Sequence, residues 1–371
     1  MNDLTWLEID LRKIKNNIAG LRNYIRTESK IMAVLKNDAF GHGLVEVAKY
    51  IENLAIDYFG VGTIQEALIL RKKKITKPIL VLGYTDPTFF ENAIVNEIEL
   101  AVWDKDAIRQ ISKVGMQVKK PAKVHLKIDT GLNRYGIDKK DAMEYITYIA
   151  HQPKVHISGI FSQFASAENR DKSYAFKQLG SFQEVINSVE REGFENILKH
   201  IANSAAALSI TSSQFDMVRL GITIYGLFPS AQLGNFFELE PALSWKSKIV
   251  QIKKIAGSEK VGFGAEYQTS APTYLATIPV GYGYGYDKRL SNLSKVLIKG
   301  KRAPVIGKIS MDALTVDISN LEEARINDEV VLIGKQGTEN ITAGELAGYL
   351  DTTNYEIVTR INANIKRKYL K

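Results

Sequence analysis

The stretch Ala33-Val34-Leu35-Lys36-Asn37-Asp38-Ala39-Phe40-Gly41-His42-Gly43 sets one lysine at the end of an apolar run and just before a glycine-rich turn. The run, Ile31 to Leu35, reads as a buried strand, and Val45 to Asn53 beyond the turn has the spacing of an amphipathic helix. The same unit recurs down the chain. Further strand-like runs are Tyr58 to Gly62, Pro78 to Gly83, Leu100 to Trp103, Val124 to Ile128, Ile157 to Phe164, Leu198 to Ala202 and Met217 to Ile222. Helix-period segments such as Gln65 to Lys74 lie between them, with Ala67, Leu68 and Leu70 on one side and basic residues on the other. Eight strand–helix units over about 220 residues match a (β/α)8 barrel of the TIM type, although a doubly wound sheet can be drawn from the same pattern.

After Gly226-Leu227-Phe228-Pro229-Ser230 the rhythm changes. Lys248 to Ile255, Thr273 to Pro279 and Val296 to Ile298 alternate and are separated by glycine turns such as Lys299-Gly300-Lys301, which reads as a mainly antiparallel β domain. A helix-like segment, Ala343 to Leu350, lies near its end. The expected division is a barrel over 10–230 and a C-terminal β domain over 231–371, with 1–9 joining the second.

Composition narrows the class. The 371 residues exceed what one core usually serves, and 45% hydrophobic with 24% charged residues indicates a globular enzyme-like chain. The net charge of +8 is spread out, with short clusters only at Arg71-Lys72-Lys73-Lys74 and Lys366-Arg367-Lys368. Both read as solvated helix ends, with nucleic-acid binding as the weaker alternative and no nucleic-acid partner expected. With no cysteine, disulfides and thiolate chemistry are excluded. No metal site is expected: His151 and His156 flank Pro153 at a spacing that suggests none. The opening Met1-Asn2-Asp3-Leu4-Thr5-Trp6 lacks a signal-peptide core, and no stretch reaches the about 18 apolar residues of a membrane span, so no membrane partner and a cytoplasmic location are expected.

In a barrel, function sits at the carboxyl ends of the strands, with phosphate commonly held after strands seven and eight. Most strand-end lysines simply reach water. Lys36 has company. Strand five ends in Lys127-Ile128-Asp129-Thr130-Gly131-Leu132-Asn133-Arg134, strand seven in His200-Ile201-Ala202-Asn203-Ser204-Ala205 and strand eight in Arg219-Leu220-Gly221-Ile222. Asn203 or Ser204 alone would be an ordinary helix cap, and Lys127, Asp129 and Arg134 alone a salt-bridge network. Taken together at one rim they suit an aldehyde cofactor carrying a phosphate, a description that pyridoxal phosphate meets.

The chain resembles the alanine racemases of the pyridoxal-phosphate barrel class almost end to end. The matching motifs are the lysine segment, Leu126 to Arg134, His200 to Ala206, Met217 to Gly226, Gly281-Tyr282-Gly283, Ser310-Met311-Asp312 and Asn354-Tyr355-Glu356. The resemblance implies that Lys36 is the Schiff-base lysine and the base for one face of Cα. It implies phosphate contacts from Ser204, Tyr355 and the backbone around Gly221 and Ile222, with Arg219 at the pyridine nitrogen. Lys127 matches a lysine often carbamylated in the family, where it orients Arg134. Phe40, Leu82, Gln163 and Asn203 fall at further cofactor-contact positions. Arg134, Tyr282, Met311 and Asp312 fall at substrate positions. The implied assembly is a homodimer with shared active sites, acting on a small amino acid and supplying D-alanine to peptidoglycan.

Three positions depart from that pattern. Val261-Gly262-Phe263-Gly264 carries phenylalanine where the family has its second-base tyrosine, and a missing acid–base group typically costs about 10²–10⁴ in rate. Gln163 replaces a histidine that buttresses Arg219, and Phe40 replaces a tyrosine. Gln163 can still accept from the guanidinium through its carbonyl. The alternative expectation is therefore a racemase-like paralogue with one-sided α-proton chemistry or a different amino-acid substrate. A non-enzymatic cofactor-binding barrel would lack the β domain after Ser230.

Overall fold

The computed structural model describes residues 4–194, 196–233 and 238–371. Met1, Asn2 and Asp3 of the opening segment lie outside the described residues. The chain divides into two units. One comprises Ile14–Ala39 and Leu44–Glu240; the other comprises 4–13, Phe40–Gly43 and Pro241–Lys371.

The first unit is a barrel. Its strands are Lys30–Val34, Tyr58–Val61, Ile79–Val81, Ile98–Val102, Ala122–Asp129, Val155–Phe161, Leu198–His200 and Met217–Leu220. Neighbours pair in parallel, and the eighth strand pairs with the first. Backbone bonds from Asp216 N–H to the Lys199 carbonyl and from Arg219 N–H to the Ala202 carbonyl close the remaining seam, at 3.1 and 3.0 Å. A closed ring excludes the doubly wound sheet. Inside it, Met32, Tyr58, Leu80 and Met217 form a buried layer from four strands, and Leu82 packs on that layer from the rim.

Lys36 follows the first strand in an unexpected backbone. The turn Lys36–Phe40 is left-handed: Asn37, Asp38, Ala39 and Phe40 all have φ near +54°. For residues with a Cβ this costs about 1–2 kcal/mol each. The glycines expected to make this turn, Gly41 and Gly43, come only after it. It is held by Ala39 N–H donating to the Leu35 carbonyl and by the Asp38 carboxylate, which accepts from Leu44 N–H at 2.7 Å. Just upstream, the buried Tyr225 hydroxyl donates to the Val34 carbonyl at 3.0 Å. Local strain maintained by surrounding contacts is typical of functional positions.

The second unit is mainly antiparallel, as expected. One sheet runs Lys301–Pro304, Lys295–Ile298, Glu329–Gln336, Leu243–Lys248, Trp6–Asp10, Lys366–Leu370. A smaller sheet holds Gln251–Ile255, Thr273–Ile278 and Leu314–Asp317. The alternation read as one strand over Lys248 to Ile255 is thus interrupted. Ile249 and Val250 bond respectively to Asp328 and Thr277, and the chain switches sheets between them.

Neither basic cluster is simply a solvated helix end. Arg71 donates to the carbonyls of Asn96, Ile75, Lys77 and Glu97, tying two helix–strand turns together. Lys366-Arg367-Lys368 lies on a strand, where Lys368 sits 4.2 Å above the Trp6 ring. No helix among the described residues is long and apolar enough to cross a membrane.

Because the Tyr225 hydroxyl satisfies a buried carbonyl, Tyr225→Phe should cost about 1–3 kcal/mol, measured by urea unfolding of the full chain. A loss below about 0.5 kcal/mol, the ordinary range for a surface change, would show that this bond does not anchor the lysine segment.

Candidate active site

Strand ends bring ten of the expected residues to the carboxyl rim of the barrel unit: Lys36, Leu82, Lys127, Arg134, Gln163, Asn203, Ser204, Arg219, Gly221 and Ile222. Lys36 is half-buried and Lys127 and Arg219 are buried. Burial, then the charges of Arg134 and Arg219, lower the proton affinity of the Lys36 amine, with Glu66 opposing. Lys127 is drawn down to about 8 by burial and by Arg219 and Arg134. None of these four cations forms an ion pair with a carboxylate among the described residues. Asp129 accepts from Gly131, Leu132 and Asn133 N–H, which shapes the loop leading to Arg134, and its charge partly offsets the loss of proton affinity at Lys127.

Aromatic faces partly compensate. The Lys127 amine lies 5.3 Å from both the Tyr135 and the Phe161 ring centres. Arg219 lies 5.5 Å from Phe161 and Arg134 5.8 Å from Tyr135, which itself stacks on Trp103. Such contacts soften a buried charge without neutralising it.

Arg219 is held on one edge. Nη1 donates to His200 Nδ1 and the His200 carbonyl, and Nη2 reaches the Ser162 and Ile201 carbonyls and Gln163 Oε1 at 3.0 Å. Gln163 therefore keeps a buttress on the guanidinium through its carbonyl oxygen. Burial pulls Arg219 down to about 9, which leaves it cationic at neutral pH. Nε has no partner among the described residues. On the adjoining strand ends, Ser204 Oγ accepts from Gly221 N–H at 2.9 Å and from the Thr223 hydroxyl at 3.1 Å. The Asn203 amide oxygen accepts from Ala206 N–H as a helix cap, the ordinary role for that residue. Ile222 is buried at the start of the following turn.

The remaining expected residues belong to the second unit. Phe40 packs against Tyr355 with ring centres 6.0 Å apart. Tyr282 and Met311 are neighbours, because Tyr282 N–H donates to the Ser310 carbonyl and Gly283 N–H to that of Met311. Both are exposed, as is Asp312. Phe263 is 71% exposed on a tight turn, its ring offering nothing that ionises.

Beneath the rim lies a group that motif reading passed over. His200 Nε2 is 2.9 Å from His125 Nδ1, and His125 Nε2 is 2.8 Å from the Glu99 carboxylate. All are buried. The available signal was polarity inside apolar strands, Ile98-Glu99-Leu100 and Val124-His125-Leu126.

An arrangement of four cations, two of them amines of lowered proton affinity, can bind an anion and present a nucleophile to a carbonyl. Comparison with known proteins agrees on a family. Residues 9–229 match the model of the alanine racemase N-terminal domain, and 242–369 that of the C-terminal domain. Alanine racemase 1 of Caldanaerobacter subterraneus subsp. tengcongensis is 39% identical over 98% of this chain and 94% of its own length. Alanine racemase of Clostridium difficile 630 superposes with a TM-score of 0.94 at 34% identity, covering 100% of this chain and 96% of that one. The Bacillus anthracis alanine racemase solved with bound L-Ala-P gives the same TM-score, identity and coverages. The chain belongs to the alanine racemase family of isomerases.

Proposed function

We propose that this protein interconverts L- and D-alanine in the cytoplasm with pyridoxal 5'-phosphate, as a homodimer, for peptidoglycan synthesis. The observation that carries the reading is the set of unpaired cations around Lys36. Lys127 and Arg219 are buried and Lys36 half-buried, and charges so removed from water are costly without a counter-charge, so an anionic ligand completes the site beside the exposed Arg134. The residues fit this cofactor: Lys36 for its aldehyde, Ser204 with the Gly221 and Ile222 backbone and Tyr355 for its phosphate, and the unpartnered Arg219 Nε–H for its pyridine nitrogen. When bound, the group supplies an electron sink that acidifies the Cα–H of an attached amino acid.

The chain's own residues do the rest. Lys36, depleted of proton affinity by burial and by two arginines, accepts and returns a proton on one face of Cα. Arg219 offers a donor and no acceptor, so it disfavours a proton on the ring nitrogen opposite. Lys127 takes up carbon dioxide as a carbamate, and the new negative charge orients Arg134, which has no hydrogen-bond partner of its own among the described residues. The exposed Phe263, Tyr282, Met311 and Asp312 serve the site of a second copy, and Leu82 and Phe40 wall the cofactor.

A second reading rests on Phe263. With no ionisable atom at that position, proton exchange is confined to the Lys36 face, and the chain acts on one enantiomer or on another amino acid.

Borohydride reduction with pyridoxal phosphate should leave a cofactor-derived mass on the peptide bearing Lys36 and none in Lys36→Ala; an adduct mapped elsewhere sinks the assignment. Deuterium uptake at Cα, started separately from each enantiomer of alanine, should proceed from both for the racemase and from one enantiomer alone for the one-sided paralogue. Phe263→Tyr should raise racemisation, within the 10²–10⁴ typical of a positioned acid–base group, if the absent hydroxyl is what limits it. Carbamate formation needs the neutral amine. The mass of one carbon dioxide on Lys127 should therefore be retained above about pH 8 and fall away below it, read by native mass spectrometry.

A further inference from the structure

The barrel interior holds a line of four buried polar side chains from four different strands: Glu99 on Ile98–Val102, His125 on Ala122–Asp129, His200 on Leu198–His200 and Arg219 on Met217–Leu220. Their links, at 2.8, 2.9 and 2.9 Å, join end to end. A guanidinium can only donate, so His200 Nδ1 must accept. Its proton then sits on Nε2, which donates to His125 Nδ1. The His125 proton in turn sits on Nε2 and is given to the carboxylate. One donor direction therefore runs from Arg219 through both imidazoles to Glu99. Burial, with Arg219 and His125 nearby, holds His200 well below the usual histidine range, in agreement with this assignment.

The packing keeps the line open. His125 and His200 stand on either side of the strand Val155–Phe161, where Gly159 pairs in register with His125 and Phe161 with His200. A Cβ on Gly159 would lie 2.3 Å from His125 Nδ1. Two residues on, Phe161 stacks on His200 with ring centres 5.0 Å apart and planes within 4°. The ring is held in the plane that serves both of its bonds.

The geometry points to Glu99 as a positioning residue for Arg219, acting through His125 and His200. It is the terminal acceptor that fixes the tautomer of both rings, so that His200 shows the guanidinium a lone pair and never a proton. Without this acceptor, His125 either buries an unpaired N–H or reverses its tautomer. Reversal would put a proton on His200 Nδ1, facing the Arg219 donor. Arg219 would lose its fixed edge, and its free Nε–H would no longer be aimed. The inference rests on the proposed function only for what Arg219 faces.

The test uses the full chain labelled with ¹⁵N in its five histidines, with and without pyridoxal phosphate. In the wild type, both buried rings should report Nε2–H tautomers. Glu99→Gln, whose amide oxygen still accepts, should preserve them. Glu99→Leu should give mixed or reversed tautomers and bind pyridoxal phosphate about ten-fold more weakly, the usual size of an outer-shell effect. It should lower kcat while KM stays within about two-fold, since no substrate contact is removed. Gly159→Ala breaks the line from its middle and should give the same pair of signatures, so the proposal remains testable if Glu99→Leu does not fold. Unchanged ring tautomers in either folded variant overturn it, as does an unchanged cofactor affinity in both. The ring signals are read without cofactor. Whether the wild-type chain binds pyridoxal phosphate at all is a separate result, and it tests the proposed function alone.

Discussion

Unpaired positive charge at the barrel mouth is the constraint that organises the rest of this site. Lys36 and Lys127 both lose proton affinity, chiefly through burial and then through Arg134 and Arg219, and among the described residues no carboxylate forms an ion pair with any of the four cations. The protein offsets the cost in three ways. Aromatic faces from Phe161 and Tyr135 lie against the cations, backbone carbonyls cluster on the Arg219 edge, and a carboxylate is placed remotely, two imidazoles away. Each softens the charge while leaving the mouth electropositive. Binding of an anionic ligand then relieves repulsion as well as making contacts, which favours both affinity and orientation.

Backbone strain serves the same end. Four successive left-handed residues after Lys36 cost several kcal/mol, of order 1–2 each, and fix where the amine emerges. The hydroxyl of Tyr225 below and the carboxylate of Asp38 beside it hold the ends of the turn. A looser loop would fold at lower cost and would let the lysine drift.

Much of this was legible in the chain. Eight apolar runs with helical segments between them specify a parallel sheet covered on both faces, and their number and length match a closed barrel. Residues at strand ends, Lys36, Lys127, Ser204 and Arg219, could be assigned to one rim from topology alone. Contacts across the barrel interior could not. Glu99 meets His125 and His125 meets His200 over separations that no local pattern encodes, and the glycine that admits them looks like any strand glycine. The left-handed turn was hidden as well, since Asn37, Asp38 and Ala39 carry ordinary side chains and the visible glycines follow it. The sheet switch at Ile249 and Val250 failed for a related reason: an alternating pattern fixes which face is buried but not which sheet it joins.

The strand Trp6–Asp10 lies between Leu243–Lys248 and Lys366–Leu370, pairing antiparallel with one and parallel with the other. On a ribosome it emerges long before either companion. The barrel can close while this early segment remains single, so its two open hydrogen-bonding edges must be tolerated by the nascent chain throughout elongation. Glu8 and Asp10 alternate with its apolar residues and discourage self-association during that wait. Pairing with Lys366–Leu370 thus completes this sheet, and without that strand one edge of Trp6–Asp10 would stay open.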